Sequence, residues 1–472
     1  MAQSFKNLRS LMGIPGRGVL AFTLLVLVFL VASQVHDIRY FPYDAGTYWL
    51  LATDPQRLPH QEIIRGYFLA LLLGLPVRAL AAIGVDPIQA FRWISSVLCA
   101  FILGVQLPLV FTRLFGGSAT LLRSVALGLL VVLIFPGQLV YPLSDLPALA
   151  LLWGAIHFAA PRDADGCANS SMPLLRMFGC GLALAAAYNT RSIYLLPAFG
   201  LGLYVLFAYW RSPRVLLLFL AGALLITAPQ VVINHRLHGN YSADPAVAAG
   251  NLFARQLDWG VTVQKYETDI SSTAFAGVEY ADPAGAALLA RFPAGRVSGI
   301  GEYVRYVFRF PVEFLGLFGR HLANGLDVRD GLGYTTTPPA QRRLLSLVNL
   351  AALLLAAIAT RLALTRPADT RPGLAGQARR PEPRLGRNAF FIAVLLSPVL
   401  MVIPGAVETR FFLPLHVLAY VVLTTQLDYR QAKTGFAREG AWWIVFSAIF
   451  LLFYFGITES TIANARASWA VP

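Results

Sequence analysis

Two aspartates occupy positions in this sequence where a carboxylate could do chemistry. Asp44 lies in an aromatic segment just after the first apolar run, and Asp145 follows Tyr141 at the start of a later apolar run. A carboxylate that is partly screened from water can act as a general base on an acceptor hydroxyl. Aspartate is also a favoured helix cap, so Asp44 could instead cap a helix from Ala45, and Ser144 or Asp145 could cap the next helix.

Two arginines lie in similar settings and suit the binding of phosphate. Arg191 falls between two apolar runs, and Arg410 shares a short loop with Glu408. A guanidinium grips a phosphate group by paired, charge-assisted hydrogen bonds. The alternatives are that Arg191 reaches from the membrane interface to water, and that Glu408 and Arg410 only pair with each other.

Motifs for metal or nucleotide chemistry are weak. His235 and His238 follow Asn234 near the end of an apolar run, but no third ligand is obvious nearby, so a zinc site is not favoured. The chain has no phosphate-binding loop of the Walker type, which gives no reason to expect ATP-driven transport.

The composition predicts the kind of structural elements that position these candidate residues. The 472-residue chain is 57% hydrophobic and 13% charged, against about 25% charged residues in soluble proteins. This composition predicts an all-α integral membrane protein, built as a polytopic helical bundle of one domain over residues 1–472. About eleven spans are expected, at 19–35, 91–111, 121–135, 146–160, 175–188, 193–210, 215–233, 344–359, 390–404, 411–426 and 442–456.

Three segments between the spans have distinct characters. A first outer loop at 36–90 holds Asp44 and an apolar stretch, 66–84, whose central Arg78 favours an interfacial helix over a span. A large outer loop covers 234–339 and includes an amphipathic stretch from about residue 301 that is also interfacial. An Arg- and Pro-rich loop at 361–387 is assigned to the cytoplasm.

The net charge of +14 is explained by topology. Most of the excess basic residues fall on loops of one side, and the positive-inside rule makes that side, with the N-terminus, cytoplasmic. The outer loops carry nearly balanced charge. No nucleic-acid partner is therefore expected, and the candidate catalytic residues all face outward beside the lipid bilayer.

In this order, the segments resemble the GT-C superfamily of membrane glycosyltransferases, which use polyprenyl-phosphate-linked sugars. Similar members are the protein O-mannosyltransferases and the lipid A aminoarabinose transferases. The matching segments contain Asp44, Asp86-Pro, Tyr141 to Asp145, Asn189-Thr-Arg191, Pro229 to Gly239 with Asn234, and Glu408-Thr-Arg410.

The resemblance implies a bacterial inner-membrane enzyme whose active site faces the periplasm. It would move a sugar, with inversion, from a polyprenyl-phosphate donor to an envelope lipid, polysaccharide or protein. Asp44 would be the base and Asp145 a second catalytic carboxylate. Substrate would be bound by Arg191, Arg410, Glu408, Tyr141 and Asn234.

Metal dependence is doubtful, because the paired Asp-Xaa-Asp of metal-dependent oligosaccharyltransferases is missing around Asp145, and no cofactor is certain. One alternative is a polysaccharide polymerase or ligase that uses Arg255, Arg291 or Arg296 of the large outer loop. Another is a flippase or transporter for a lipid-linked sugar, against which the scarcity of charge at mid-span argues.

Overall fold

The computed structural model describes residues 16–36, 38–54, 56, 66–160, 172–246, 252–269, 276–329, 339–364, 383–427 and 429–470. These residues are mostly helical, as predicted. The first eleven helices are α1 (Gly16–Val35), α2 (Tyr43–Thr53), α3 (Phe68–Ala81), α4 (Pro87–Phe101), α5 (Leu107–Phe115), α6 (Leu121–Ile134), α7 (Gly137–Val140), α8 (Asp145–Ala159), α9 (Met172–Thr190), α10 (Leu195–Tyr209) and α11 (Pro213–His238).

The second half contains the remaining helices and three strands. In chain order they are α12 (Leu252–Thr262), β1 (Val263–Asp269), β2 (Ala276–Ala281), α13 (Pro283–Leu289), α14 (Ile300–Arg309), α15 (Pro311–Leu326), α16 (Pro339–Leu364), α17 (Pro383–Val402), α18 (Leu413–Gln426), α19 (Tyr429–Ala463) and β3 (Ala465–Ala470). Short 3₁₀ turns, Ser192–Tyr194 and Thr409–Phe412, precede α10 and α18.

Six helical segments in the described residues are long and apolar enough to cross a membrane. They are Gly16–Val35, Pro87–Phe115, Ser192–Tyr209, Pro213–His238, Gln341–Leu362 and Gly440–Ala463. They indicate a helical membrane protein. The other five predicted spans coincide with α6, α8, α9, α17 and α18, which do not meet this measure, so the count of eleven stays a prediction.

The second span shows how local sequence shapes a helix. Its N-terminus is capped by Asp86, whose carboxylate accepts a hydrogen bond from the Gln89 amide at 2.9 Å, with Pro87 at the first helical position. The helix then continues from α4 into α5 through a π-helical turn at Ile102–Gln106. A π-turn inserts one extra residue and so turns the following side chains to a new face.

Helix α3 is the predicted interfacial helix. Its Arg78 donates a hydrogen bond to the carbonyl of Ala52 in α2, while Leu71, Leu72 and Leu75 lie exposed. The Arg78 guanidinium, whose charge would make a membrane span costly, is thus hydrogen-bonded to the C-terminal end of α2. The position of α3 at a membrane interface stays a prediction.

A small antiparallel sheet departs from the all-α prediction. Strands β1, β2 and β3 pair in that order, with Tyr266 opposite Glu279 and Val278 opposite Ala467. Strands β1 and β2 come from residues 234–339, the predicted large outer loop, and β3 comes from the C-terminal end of the chain. Residues 234–339 also pack a core of their own between α12 and α15. Aromatic residues dominate that core, including Phe292, Tyr303, Tyr306, Phe310 and Phe314.

Some predictions lie outside the described residues. Most of the Arg- and Pro-rich loop at 361–387 falls in the gap at 365–382, and the basic N-terminus falls in residues 1–15. The cytoplasmic assignment of these segments stays a prediction.

Candidate active site

Asp44 lies in the first turn of α2, directly after a strained residue. Tyr43, the first residue of α2, has φ 47°, a left-handed conformation that costs energy for a bulky side chain. The capping alternative for Asp44 is wrong, because Pro42 takes the cap position and no side-chain cap bond forms. Instead the Asp44 Oδ2 atom lies 3.2 Å from the Nη2 of Arg410.

Asp145 and Arg191 form a buried ion pair. The Asp145 Oδ1 atom lies 2.6 Å from the Nη1 of Arg191, and the two side chains are 3% and 8% exposed. The same Nη1 donates to the Ser144 hydroxyl at 3.2 Å. Both alternatives for this pair are wrong: neither Ser144 nor Asp145 makes a side-chain cap bond, and Arg191 does not reach water.

Arg410 joins the two aspartates. Its Nε donates to Glu408 Oε2 at 2.7 Å, its Nη2 contacts Asp44, and its Nη1 lies 3.9 Å from Asp145 Oδ2. The predicted pairing of Glu408 with Arg410 is present, but it is one contact of a larger cluster. We call Asp44, Asp145, Arg191, Glu408 and Arg410 the ionic cluster.

Backbone contacts hold the segment that carries Glu408 and Arg410. The Ala406 amide donates to the Gln256 carbonyl of α12 at 3.3 Å, and the Tyr266 amide of β1 donates to the Val407 carbonyl at 2.9 Å. Gly260 allows this approach, since a Cβ atom there would lie 2.4 Å from the carbonyl carbon of Gly405. Strand β1 and α12 therefore set the position of this loop.

The buried carboxylate of Glu267 also fixes the loop that carries Glu408 and Arg410. Glu267 of β1 accepts hydrogen bonds from both the amide and the hydroxyl of Thr409, with the amide at 3.1 Å. Lys265 balances its charge at 3.4 Å and also donates to the Asp327 carbonyl at 2.9 Å. Thr409 stands between Glu408 and Arg410 in the chain, so its bonds to Glu267 orient both neighbours.

The surroundings of Glu408 favour the protonated form of its carboxyl group. Burial raises the pKa of Glu408 to about 7, because lost hydration outweighs the attraction of Arg410, and the Glu267 and Asp145 carboxylates act in the same direction as burial. Within the described residues, the buried atoms Asp145 Oδ2, Arg191 Nε and Glu408 Oε1 of the cluster have no hydrogen-bond partner. The cluster thus retains hydrogen-bonding capacity.

Three adjoining spaces lie beside the cluster. A small cavity of about 10 Å³, enough for about one water molecule, is lined by Arg410, Thr409, Arg342 and Gln138. Gln138 also lines a second space of about 20 Å³, together with Tyr141. Leu73 and Leu98 line both that second space and an open apolar groove of about 520 Å³ between α3 and α4.

Five of the seven predicted site residues therefore form the ionic cluster, and the other two, Tyr141 and Asn234, have the following contacts. Tyr141 is buried in the second space, with its ring 6.1 Å from that of Phe41. Asn234 lies in an amide network: it accepts a hydrogen bond from Gln230 and donates to the carbonyls of Ser242 and Asp244, each at 2.8 Å.

Four residues near the site were missed from sequence: Lys265, Tyr266, Glu267 and Arg342. The strand residues carry no usable signal, because residues 263–269 read Val-Gln-Lys-Tyr-Glu-Thr-Asp and lack the alternation of polar and apolar side chains that is typical of a strand. Arg342 lies at the start of a long apolar helix, where the sequence makes it look like a flanking charge.

The histidines do not form a metal centre with described neighbours. His235 stacks on Tyr241 with ring centroids 3.9 Å apart. Within the described ranges, no group of three or more His, Cys, Asp or Glu side chains is placed to hold a metal ion.

The chain matches no protein-family model, and neither a curated protein nor a solved structure is significantly similar to it.

Proposed function

We propose that this protein is a membrane glycosyltransferase that moves a sugar from a polyprenyl-phosphate donor to an acceptor hydroxyl. The observation that carries the proposal is the ionic cluster, in which two aspartates and two arginines from four distant chain segments converge. Such a site has a base for the acceptor and cations for the phosphate that leaves.

Asp44 suits the role of base by its position. Its side chain is 24% exposed, whereas those of Asp145 and Arg410 are 3% and 7% exposed. An acceptor arriving from water therefore reaches Asp44 first. Its hydroxyl proton passes to Asp44 while the oxygen forms a bond to the anomeric carbon from the face opposite the phosphate, which inverts that carbon.

The arginines suit the departing phosphate. As the bond from the anomeric carbon to the phosphate oxygen breaks, its electron pair stays on the lipid phosphate, whose negative charge grows. Fixed guanidinium groups stabilise that charge most in the transition state. Arg410 and Arg191 are held by Glu408 and Asp145, so little reorganisation is needed when charge develops.

The apolar groove suits the lipid part of the donor. Its lining includes Leu72, Leu80, Trp93, Val97 and Phe101, and it opens to the outside of the bundle. Through Leu73, Leu98 and Gln138 it adjoins the cavity of Arg410. A polyprenyl tail would enter this groove from the bilayer, and its phosphate would reach Arg410 when the two small spaces between the groove and Arg410 widen to admit it.

The polymerase or ligase alternative has less support. It relies on arginines of the large outer loop, but Arg291 pairs with Glu313 at 2.6 Å and covers the ring of Phe310 at 4.1 Å. This places Arg291 on the aromatic core of that loop and outside the ionic cluster.

The test is complementation of a deletion strain with Asp44→Asn. Loss of the base should lower transfer by about 10²- to 10⁴-fold. Mass spectrometry of the envelope glycans should then show the same missing sugar as the deletion. The matched control is Asp86→Asn, because asparagine caps a helix as well as aspartate does, and that variant should restore the glycan.

Two results would contradict the proposal. One is normal transfer by Asp44→Asn at the wild-type level of membrane protein. The other is an envelope glycan profile that does not change when the gene is deleted.

A further inference from the structure

We propose that the rings of Trp259, Tyr266 and Phe411 form a platform that binds a pyranose ring beside the ionic cluster. The proposal rests on the proposed function for the reaction that the sugar undergoes, but binding to the platform can be measured without transfer. We call these three residues the aromatic platform.

The three rings are in contact, and none of the three residues is fully buried. The centroids of Trp259 and Tyr266 are 4.6 Å apart with their planes tilted by 30°. Those of Tyr266 and Phe411 are 5.9 Å apart at 75°. Each of the three residues is partly exposed, in contrast with the buried aromatic core Phe292, Tyr303, Tyr306, Phe310 and Phe314.

The platform is continuous with the ionic cluster. The guanidinium carbon of Arg191 lies 4.8 Å from the centroid of the Phe411 ring, and Phe411 follows Arg410 in the chain. Tyr266 lies within electrostatic reach of Glu408, Arg410, Asp44 and Arg191. A ligand on the platform therefore lies beside both the proposed base and the proposed phosphate ligands.

The phenol of Tyr266 stays a hydrogen-bond donor. Burial, followed by the Glu408 and Asp44 carboxylates, raises its pKa well above the ordinary value, while Arg410 and Arg191 act in the opposite direction. A protonated phenol both donates and accepts hydrogen bonds. The platform thus combines apolar faces with two neutral polar groups, the Tyr266 phenol and the Trp259 indole N–H.

A pyranose ring fits this chemistry. One face of many pyranoses presents C–H groups, whose positive edges are attracted to the negative faces of aromatic rings. The hydroxyls at the ring edge remain available for Tyr266 and for the acids and guanidiniums of the cluster. A lipid tail would use the apolar faces and leave the polar groups unmatched.

The scaffold holds the platform rigidly. Trp259 precedes Gly260, at which α12 meets the Gly405 backbone, and Tyr266 is bonded through its amide to Val407. The contacts that orient Glu408 and Arg410 therefore also fix two platform rings. A preorganised surface loses less entropy when a ligand binds.

The experiment is saturation-transfer NMR on the purified full-length protein in detergent. The probes are the methyl pyranosides of glucose, galactose, mannose and xylose. At least one should receive saturation at its ring C–H protons from the wild-type protein. Trp259→Ala and Tyr266→Ala should each weaken binding by about tenfold, whereas Trp259→Phe keeps a ring and should retain the signal.

The control for losing an aromatic side chain is Phe308→Ala. Phe308 is 80% exposed on α14 and belongs to neither the platform nor the cluster, so this variant should bind as the wild type does. Size-exclusion profiles verify that each variant is folded. Asp44→Asn should also bind the probe while losing transfer, which separates the platform from the chemistry.

The proposal is wrong if none of the probes receives saturation from the wild-type protein. It is also wrong if a folded Trp259→Ala/Tyr266→Ala variant binds as well as the wild type. An unchanged glycan profile after gene deletion contradicts the proposed function only. If the bound probe matches the sugar missing after deletion, the platform holds the donor sugar; if it matches the residue that receives that sugar, it holds the acceptor.

Discussion

Two polar networks begin two residues apart at the end of α9 and differ in how fully they are bonded. Asn189 starts an amide network: it donates to Gln230, which donates to Asn234, which donates to two backbone carbonyls. Arg191 belongs to the ionic cluster. There, among the described residues, Asp145 Oδ2, Arg191 Nε and Glu408 Oε1 are buried without a hydrogen-bond partner.

The difference suggests a structural role for the amide network and a functional role for the ionic cluster. A buried network whose donors and acceptors are all used stabilises one conformation. A buried polar atom that is left without a partner costs free energy and calls for an explanation, such as a ligand that completes it. The amide network pins the chain at residues 242–244 to α11, and the ionic cluster is where we propose that substrate binds.

The largest expected effect comes from breaking the buried pair. Arg191→Ala removes the 2.6 Å partner of the buried Asp145 carboxylate and leaves it only the 3.9 Å contact with Arg410, so the variant should be destabilised by about 3–5 kcal/mol. Unfolding in mixed micelles measures this loss. The double variant Arg191→Met/Asp145→Leu should recover much of the stability but none of the glycan transfer. Recovery of transfer would make the pair structural, like the amide network.

A smaller effect, specific to the cluster, concerns pH. Glu408 keeps its proton up to about pH 7 in the folded state, whereas its ordinary pKa is 4.5. The folded state binds more protons between these values, so its contribution to stability is complete below pH 4.5 and is lost as the pH rises to about 7. The loss is about 3 kcal/mol.

Glu408→Gln should remove that dependence, because glutamine imitates the protonated acid. Melting temperatures of the wild type and the variant, measured from pH 4.5 to 8 in detergent, should converge at the acidic end and separate at the alkaline end, with the variant more stable. Parallel curves would show that Glu408 is ionised throughout. The amide network has no titrating side chain in its Asn189, Gln230 and Asn234 chain, so Asn234→Ala should leave the slope unchanged.

The smallest effect belongs to the amide network. Asn234→Ala removes two donated bonds and leaves the acceptors and Gln230 partly unsatisfied, at a cost of about 1–3 kcal/mol. Transfer per folded molecule should stay at the wild-type level, when glycan yield is normalised to membrane protein. A loss of transfer at normal stability would return Asn234 to the substrate-binding role predicted from the sequence.

The sequence predicted the cluster better than it predicted the outer loop. Asp44, Asp145, Arg191, Glu408 and Arg410 were all found from one signal, a charge beside an apolar run, because such charges are expensive unless they have a purpose. The same signal selected Tyr141 and Asn234, which the structure places outside the cluster. Adjacency to a span shows that a polar residue is unusual, but not which partner it meets.

Glu267 and Tyr266 show why the outer loop was harder to read. Both lie in a soluble-like stretch where polar residues are ordinary, and a single short strand has a weak pattern. Their importance comes from pairing with residues about 140 positions later, Thr409 at 3.1 Å and Val407 at 2.9 Å. Contacts across such separations leave no local trace in one sequence.

The sequence by itself determined that this is an apolar helical chain with its unusual charges at the ends of spans. Hydrophobic burial and the cost of intramembrane charge are local consequences of composition, so they can be read along the chain. Only the tertiary structure decided that Asp145 pairs with Arg191, that Arg410 joins both aspartates, and that β1 orients the loop between them. Those arrangements depend on packing between distant segments, where tenths of an ångström decide which polar atoms are paired.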